Sequence, residues 1–172
     1  MLPEVDWHLI GQLQRNKVRL SLLHATLIHS VDSLKLLERI EETAESMNKD
    51  ARVLLQVNAS GEASKSGFTP EEITQEWPAI LAKSSRVRII GLMTMAAESE
   101  NSEDARPTFR KLRQLRDHLV VRGDSREAGV LLPELSMGMS GDFIPAIEEG
   151  ATLVRIGSRI FQGLKPTGPA AT

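Results

Sequence analysis

The sequence contains no cysteine and no tyrosine, and its aromatic content is only four phenylalanines and two tryptophans in 172 residues. Without cysteine there is neither a disulfide framework nor a thiolate metal site. With so few rings, the core has to be built from Leu, Ile, Val, Ala and Met. Charge of one sign is also lacking: the net charge is −2, which offers no basic surface for nucleic acid or another polyanion. No apolar run approaches the roughly 18 residues that would cross a membrane, and the N-terminus shows no charged-then-apolar leader. Together these point to a cytoplasmic protein with neither nucleic acid nor membrane as partner. The four histidines, His8, His24, His29 and His118, show no metal-ligand spacing. His24 and His118 read as helix-surface residues, whereas His8 sits on a strand and could face a site. G-x-S-x-G, Walker and G-x-G-x-x-G signatures are missing too, and Ser60-Gly61-Glu62 is ordinary turn chemistry.

What is present is alternation. A hydrophobic fraction of 41% and a charged fraction of 26% describe one globular domain over residues 1–164, with a disordered tail over 165–172. Short apolar runs at Trp7–Ile10, Thr26–Val31, Arg52–Val57, Val87–Met93, Leu135–Met137 and Thr152–Ile156 predict six strands. Helical periodicity follows the strands. Gln14–Leu23 is the first such segment. Asp32 and Ser33 then stand as N-cap candidates before a face of Leu34, Leu37, Ile40, Ala44 and Met47. Thr69-Pro70-Glu71-Glu72 predicts a capping box with proline in the first turn, and Pro78 predicts a kink or an interruption of the helix just after Trp77. Pro107–Val121 predicts a helix with Phe109, Leu112, Leu115 and Leu119 inward, and Arg122–Pro133 is the least structured stretch. Strict strand–helix alternation implies a parallel sheet covered by helices. A complete TIM barrel would need eight repeats and about 250 residues, so the expectation is α/β, TIM-barrel-like, with about six of the eight repeats.

The chain is organised around Leu135–Gly163, L-S-M-G-M-S-G-D-F-I-P-A-I-E-E-G-A-T-L-V-R-I-G-S-R-I-F-Q-G. Here a strand, a helix closed by Gly150 and a second strand form a βαβ unit. Met137-Gly138-Met139-Ser140 and Gly157-Ser158 are the two strand exits. Ligands of such units lie beyond the carboxyl ends of the strands, and small residues with free N–H groups and hydroxyls suit a phosphate. Arg155, flanked by Val154 and Ile156, needs a partner if buried. Spacing alone leaves other readings open: Gly-Ser exits are common turns, and a strand arginine can be an edge ion pair. Met93, Met95, Met137 and Met139 cluster at two exits, either as adaptable core filling or as a soft wall beside a ligand.

L-S-M-G-M-S-x-D-F and E-G-A-T-x-V-R-I-G-S-x-I-F resemble the signature of the pyridoxal phosphate homeostasis proteins, small fold-type III relatives of the N-terminal barrel of alanine racemase. W-H-L-I-G-Q-L-Q-R-N-K (Trp7–Lys17), Q-V-N-A-S-G-E-A-S-K-S-G (Gln56–Gly67) and G-L-M-T-M (Gly91–Met95) resemble it in the same order. The resemblance implies a protein that binds and carries pyridoxal 5′-phosphate without an established reaction of its own. PLP-accepting apo-enzymes would be its partners, and its state a monomer or weak dimer. It implies Arg155 at the pyridine nitrogen, with Gly157, Ser158 and Ser140 at the phosphate. Met137, Gly138, Ile156, Met93, Asn58 and His8 would line the site. It also places the lysine that bonds the cofactor covalently before Met1, in the two repeats that the count leaves missing. Lys65 is then either a solvated loop residue or one that reaches over the site mouth. The rival reading is a racemase or decarboxylase of the same fold type. Such enzymes add a tyrosine or cysteine, and this sequence has neither. A degenerate barrel fragment without tight ligand binding is a third.

Overall fold

A computed structural model describes residues 5–62 and 65–163; the expected tail over 165–172 lies outside them. Six strands, β1 (His8–Leu9), β2 (Leu27–Val31), β3 (Ala51–Gln56), β4 (Val87–Met93), β5 (Glu134–Met139) and β6 (Leu153–Arg155), form one sheet in sequential order. Every neighbouring pair is parallel, as expected of strands joined by helical crossovers. The helices are α1 (Val18–His24), α2 (Leu34–Ser46), α3 (Pro70–Ala82), α4 (Arg106–Val121), α5 (Gly123–Glu127) and α6 (Phe143–Glu148). Among the described residues β1 and β6 are the sheet's two edges, so the barrel-like winding is open.

Side-chain alternation sorts the strands into two faces. Val53, Leu55, Leu92, Leu135 and Met137 join the large core against the helices, with Leu37, Ile40, Trp77, Phe109 and Leu112 from the helical layer. Leu27, Leu54 and Met93 form a smaller cluster on the other, concave face, with Ile90 and Leu153 beside it. Simple alternation fails in β4, where the pairing with β3 steps from Ile89 to Gly91 and leaves Ile90 as an extra residue. That bulge puts both Ile90 and Met93 on the concave face. Gly91 is compulsory: a Cβ there would lie 1.9 Å from the Glu134 carbonyl oxygen.

The capping box forms as read, with Thr69 Oγ1 accepting from the Glu72 N–H at 3.1 Å and Glu72 accepting from the Thr69 N–H at 2.8 Å. Three expectations are corrected. Pro78 does not break its helix, for α3 continues to Ala82. Proline removes the N–H that would bond the Thr74 carbonyl, and the Arg122 guanidinium supplies a donor to that oxygen instead, at 3.4 Å. Ser33 occupies the N-cap of α2 without capping it; its hydroxyl is 3.1 Å from Asp32 Oδ1. Within Arg122–Pro133, α5 forms, with the Asp124 carboxylate accepting from the Ser125 N–H at 2.9 Å inside its first turn.

Candidate functional site

The site is built where β5 and β6 leave the sheet. In β5, Leu135 and Met137 point to the helical layer, so Ser136 between them faces the concave side, where it is fully buried. In β6, Leu153 and Arg155 share that side while Val154 faces outward and is 38% exposed. Helix α6 holds the two exits together. Gly138 has φ +90° and touches the helix so closely that a Cβ would lie 2.5 Å from Ala146 Cβ. Buried Glu149, at the end of α6, accepts from Arg110 at 2.8 Å and Arg113 at 3.1 Å, which ties α6 to α4.

Arg155 donates one N–H to Ser136 Oγ at 2.6 Å and another to the Thr94 carbonyl at 2.9 Å. Both acceptors are neutral, and among the described residues no carboxylate lies within salt-bridge distance of Arg155. Burial depresses its pKa, opposed by the Asp142 carboxylate nearby, yet a guanidinium keeps its charge in proteins. A largely buried cation with only neutral partners has N–H groups to offer a ligand. Ser136 Oγ lies 2.8 Å from His29 Nδ1, and His29 Nε2 lies 3.1 Å from His8 Nδ1. A line of polar groups therefore crosses the concave face from β6 to β1. His29 is 2% exposed. Burial, then the neighbouring His8 and Arg155, lowers its pKa to about 4, so it is neutral at physiological pH.

Beyond Arg155 the backbone turns into a 3-10 helix over Ser158–Phe161. Ser140 Oγ accepts from the Gly157 N–H at 3.1 Å and from the Arg159 N–H at 3.5 Å. Its lone pairs being taken by these donors, its own proton is free to be donated. A Cβ placed on Gly141 or Gly157 would meet no atom within 4 Å, so these glycines border open space. The exits line a cleft of about 640 Å3 that also touches Lys65, Met95 and Asp142. A cavity of about 630 Å3 lies at the opposite end, by Ala51 and Arg52 where β3 begins. Parallel sheets take ligands at strand ends, not strand starts, so the cleft is the candidate.

Of the residues singled out in the sequence, Ser140, Gly157 and Ser158 share the cleft, Arg155 lies behind it, and His8 ends the polar line. Ile156 is half-buried between Arg155 and Gly157. Met137 is corrected to a core residue of the helical side, because alternation in β5 gives the concave position to Ser136. Met93 is fully buried against Leu27 and Leu54, which is core filling. Gly138 serves helix packing. The Asn58 side chain makes four hydrogen bonds within its own loop, to Glu62, Lys65, Ser60 and Gly61, so it shapes the loop. Lys65 is only partly exposed: its amine donates to the Ala96 carbonyl and lies 3.5 Å from Glu62 Oε1. The residues missed were His29, Ser136 and Arg159. His29 carried a signal, since it stands two positions after concave Leu27 on the strand beside His8.

The comparison with known proteins bears directly on this geometry. The family described as "Alanine racemase, N-terminal domain" matches residues 3–165. The pyridoxal phosphate homeostasis protein of Aquifex aeolicus is 47% identical over 158 residues, covering 92% of this chain and 67% of the relative. The chain belongs to the pyridoxal phosphate homeostasis family. The human family member is 37% identical over 94% of this chain and 59% of its own length, and the Vibrio alginolyticus protein is covered over 64%. The chain thus spans about two thirds of the length of such relatives. PipY from Synechococcus elongatus, solved without PLP, superposes with a TM-score of 0.83 at 35% identity, covering 93% of this chain and 72% of PipY. The same protein solved with PLP bound gives 0.80 at 34% identity. Alanine racemase of Clostridium difficile, at 20% identity and a TM-score of 0.73, shares the fold.

Proposed function

We propose that this chain binds pyridoxal 5′-phosphate where β5 and β6 leave the sheet and that it acts in PLP homeostasis, holding the cofactor for apo-enzymes that accept it. The carrying observation is the Ser140 hydroxyl: fixed by accepting from the Gly157 and Arg159 N–H groups, it keeps its own proton to donate at an open-sided turn, two residues beyond strand-borne Arg155. A phosphate fits beside this turn, since the hydroxyl is held in place by those N–H groups and nothing fills the space beside Gly157. The PLP-bound state of PipY supports the same reading.

When bound, the cofactor supplies an aldehyde that captures amines and a pyridine ring that withdraws electrons. Arg155 can only donate, so the ring end of the site accepts a nitrogen that keeps its lone pair. A second positive charge beside the guanidinium is unfavourable. An unprotonated ring is a weaker electron sink, which favours carrying over transforming. The absence of tyrosine and cysteine points the same way. Lys65, at the cleft wall, stands where it can meet an entering or leaving cofactor; Lys65→Ala is expected to change the PLP release rate.

Isothermal titration with PLP of the wild-type chain, Ser140→Ala and Arg155→Ala tests the reading. Both substitutions should weaken binding by about tenfold or more, as expected for charge-assisted hydrogen bonds. Unchanged affinity in both would refute the site.

A further inference from the structure

Arg155 is aimed by something other than a carboxylate. Its guanidinium is held by the Ser136 hydroxyl and the Thr94 carbonyl, at 2.6 and 2.9 Å. A carbonyl fixes only one N–H. The second point of the fork depends on a rotatable hydroxyl, so the orientation of Arg155 depends on what holds that hydroxyl.

Donor and acceptor roles along the polar line follow from arginine's chemistry. Arg155 has no lone pair to offer, so Ser136 Oγ accepts from it. Ser136 is fully buried, and its own proton needs an acceptor. His29 Nδ1, 2.8 Å away, supplies one. Nδ1 then carries no proton, and neutral His29 is protonated at Nε2. From there it donates to His8 Nδ1 at 3.1 Å. The two rings lie 5.1 Å apart with a 43° tilt, which is compatible with an edge-on bond rather than stacking. Every hydrogen bond from β6 to β1 therefore runs in one direction, Arg155 to Ser136 to His29 to His8. The line spans strands that are not neighbours, since β2 and β5 are separated in the sheet by β3 and β4. It also crosses the concave face beside the small apolar cluster of Leu27, Leu54 and Met93, with Ser136 and His29 buried and His8 exposed at its end.

We propose that His29 and Ser136 are positioning residues for Arg155, forming with His8 a one-directional hydrogen-bond relay that fixes the guanidinium toward the ring end of the ligand site. The consequence for PLP rests on the reading proposed above; the relay itself is a property of the protein alone.

The test separates the two. The ring-nitrogen shifts of His29 and the guanidinium resonances of Arg155 are recorded by 15N NMR on the ligand-free 172-residue chain near pH 7. His29 should show a bare Nδ1 and a protonated Nε2, and Arg155 should give resolved, slowly exchanging N–H signals. His29→Phe keeps the ring volume and removes both hydrogen-bonding atoms, so the Arg155 signals should broaden into fast exchange. His29→Gln, which again offers an acceptor and a donor, should restore them. Ser136→Ala breaks the same line with the loss of one oxygen and serves if the phenylalanine variant does not fold. A protonated Nδ1 in His29, or unchanged Arg155 signals in Ser136→Ala, overturns the relay whatever PLP does. In PLP titrations the expected order is a loss of about tenfold in His29→Phe, most of it recovered in His29→Gln. If Arg155→Ala and Ser140→Ala both bind PLP as the wild type does, the site reading fails. If Arg155→Ala weakens PLP and neither His29→Phe nor Ser136→Ala does, the relay fails.

Discussion

His29 shows how one side chain couples the site to folding. Its pKa is lowered from 6.5 to about 4 in the fold, so between those values the unfolded chain binds a proton that the folded chain refuses. Stability is undiminished by this group above pH 6.5 and falls as the pH drops toward 4, by roughly 3 kcal/mol in all. Urea midpoints at pH 7, 5.5 and 4.5 should show that slope in the wild type and a shallower one in His29→Gln. Equal slopes would mean that His29 is not held neutral. Gly138 has a purely geometric role. With φ +90° and Ala146 Cβ 2.5 Å from where its own Cβ would stand, Gly138→Ala should cost about 2 kcal/mol or more in denaturant unfolding. Periodicity assigned the residues around these two but could not weigh them. A histidine in an apolar strand reads as filler until the neighbouring strand is known to carry His8. Met137 and Ser136 exchange roles once the face of β5 is fixed.

At the scale of elements, strands and helices were readable because each apolar pattern has one period, and the helices lie close to their expected positions. The failures are side-chain matters that apolar periodicity does not register, from a neighbour in the case of Ser33, whose hydroxyl turns to Asp32, and from a distance in the case of Pro78. Pro78 sits inside α3 because Arg122, from the turn after α4, covers the Thr74 carbonyl. Arg122→Ala should cost about 1 kcal/mol in the wild type, and less in a Pro78→Ala background, where the helix supplies its own N–H. Additive losses in that double-mutant cycle would remove Arg122 from the explanation. The bulge at Ile90 was equally invisible, since strand pairing and not β4's own sequence skips that residue.

At the scale of the whole molecule, the six parallel strands among the described residues place the carboxyl ends of β5 and β6 side by side and leave β1 and β6 as edges. Ile160 and Phe161 are about two-thirds exposed just past the β6 edge. Unpaired edges beside apolar side chains favour association, so sedimentation should show weight-average mass rising with concentration. A fixed monomer mass would contradict that expectation. None of the described lysines stands on a strand: Lys65 lines the cleft from a loop, its amine held by the Ala96 carbonyl beside Glu62, and the others lie on or near helices or at the far end of the sheet. Borohydride treatment of the PLP-loaded chain should therefore leave no stoichiometric adduct at a single lysine, as peptide mass mapping would report.

The location of the site is tested most directly by following backbone amide shifts of the 15N-labelled chain during titration with PLP. Saturable shifts are expected at Gly141, Gly157, Ser158 and Arg159, with Ala51 and Arg52 at the opposite end unmoved. Shifts centred on Ala51 and Arg52, or no saturable shifts at the β5 and β6 exits, would contradict it.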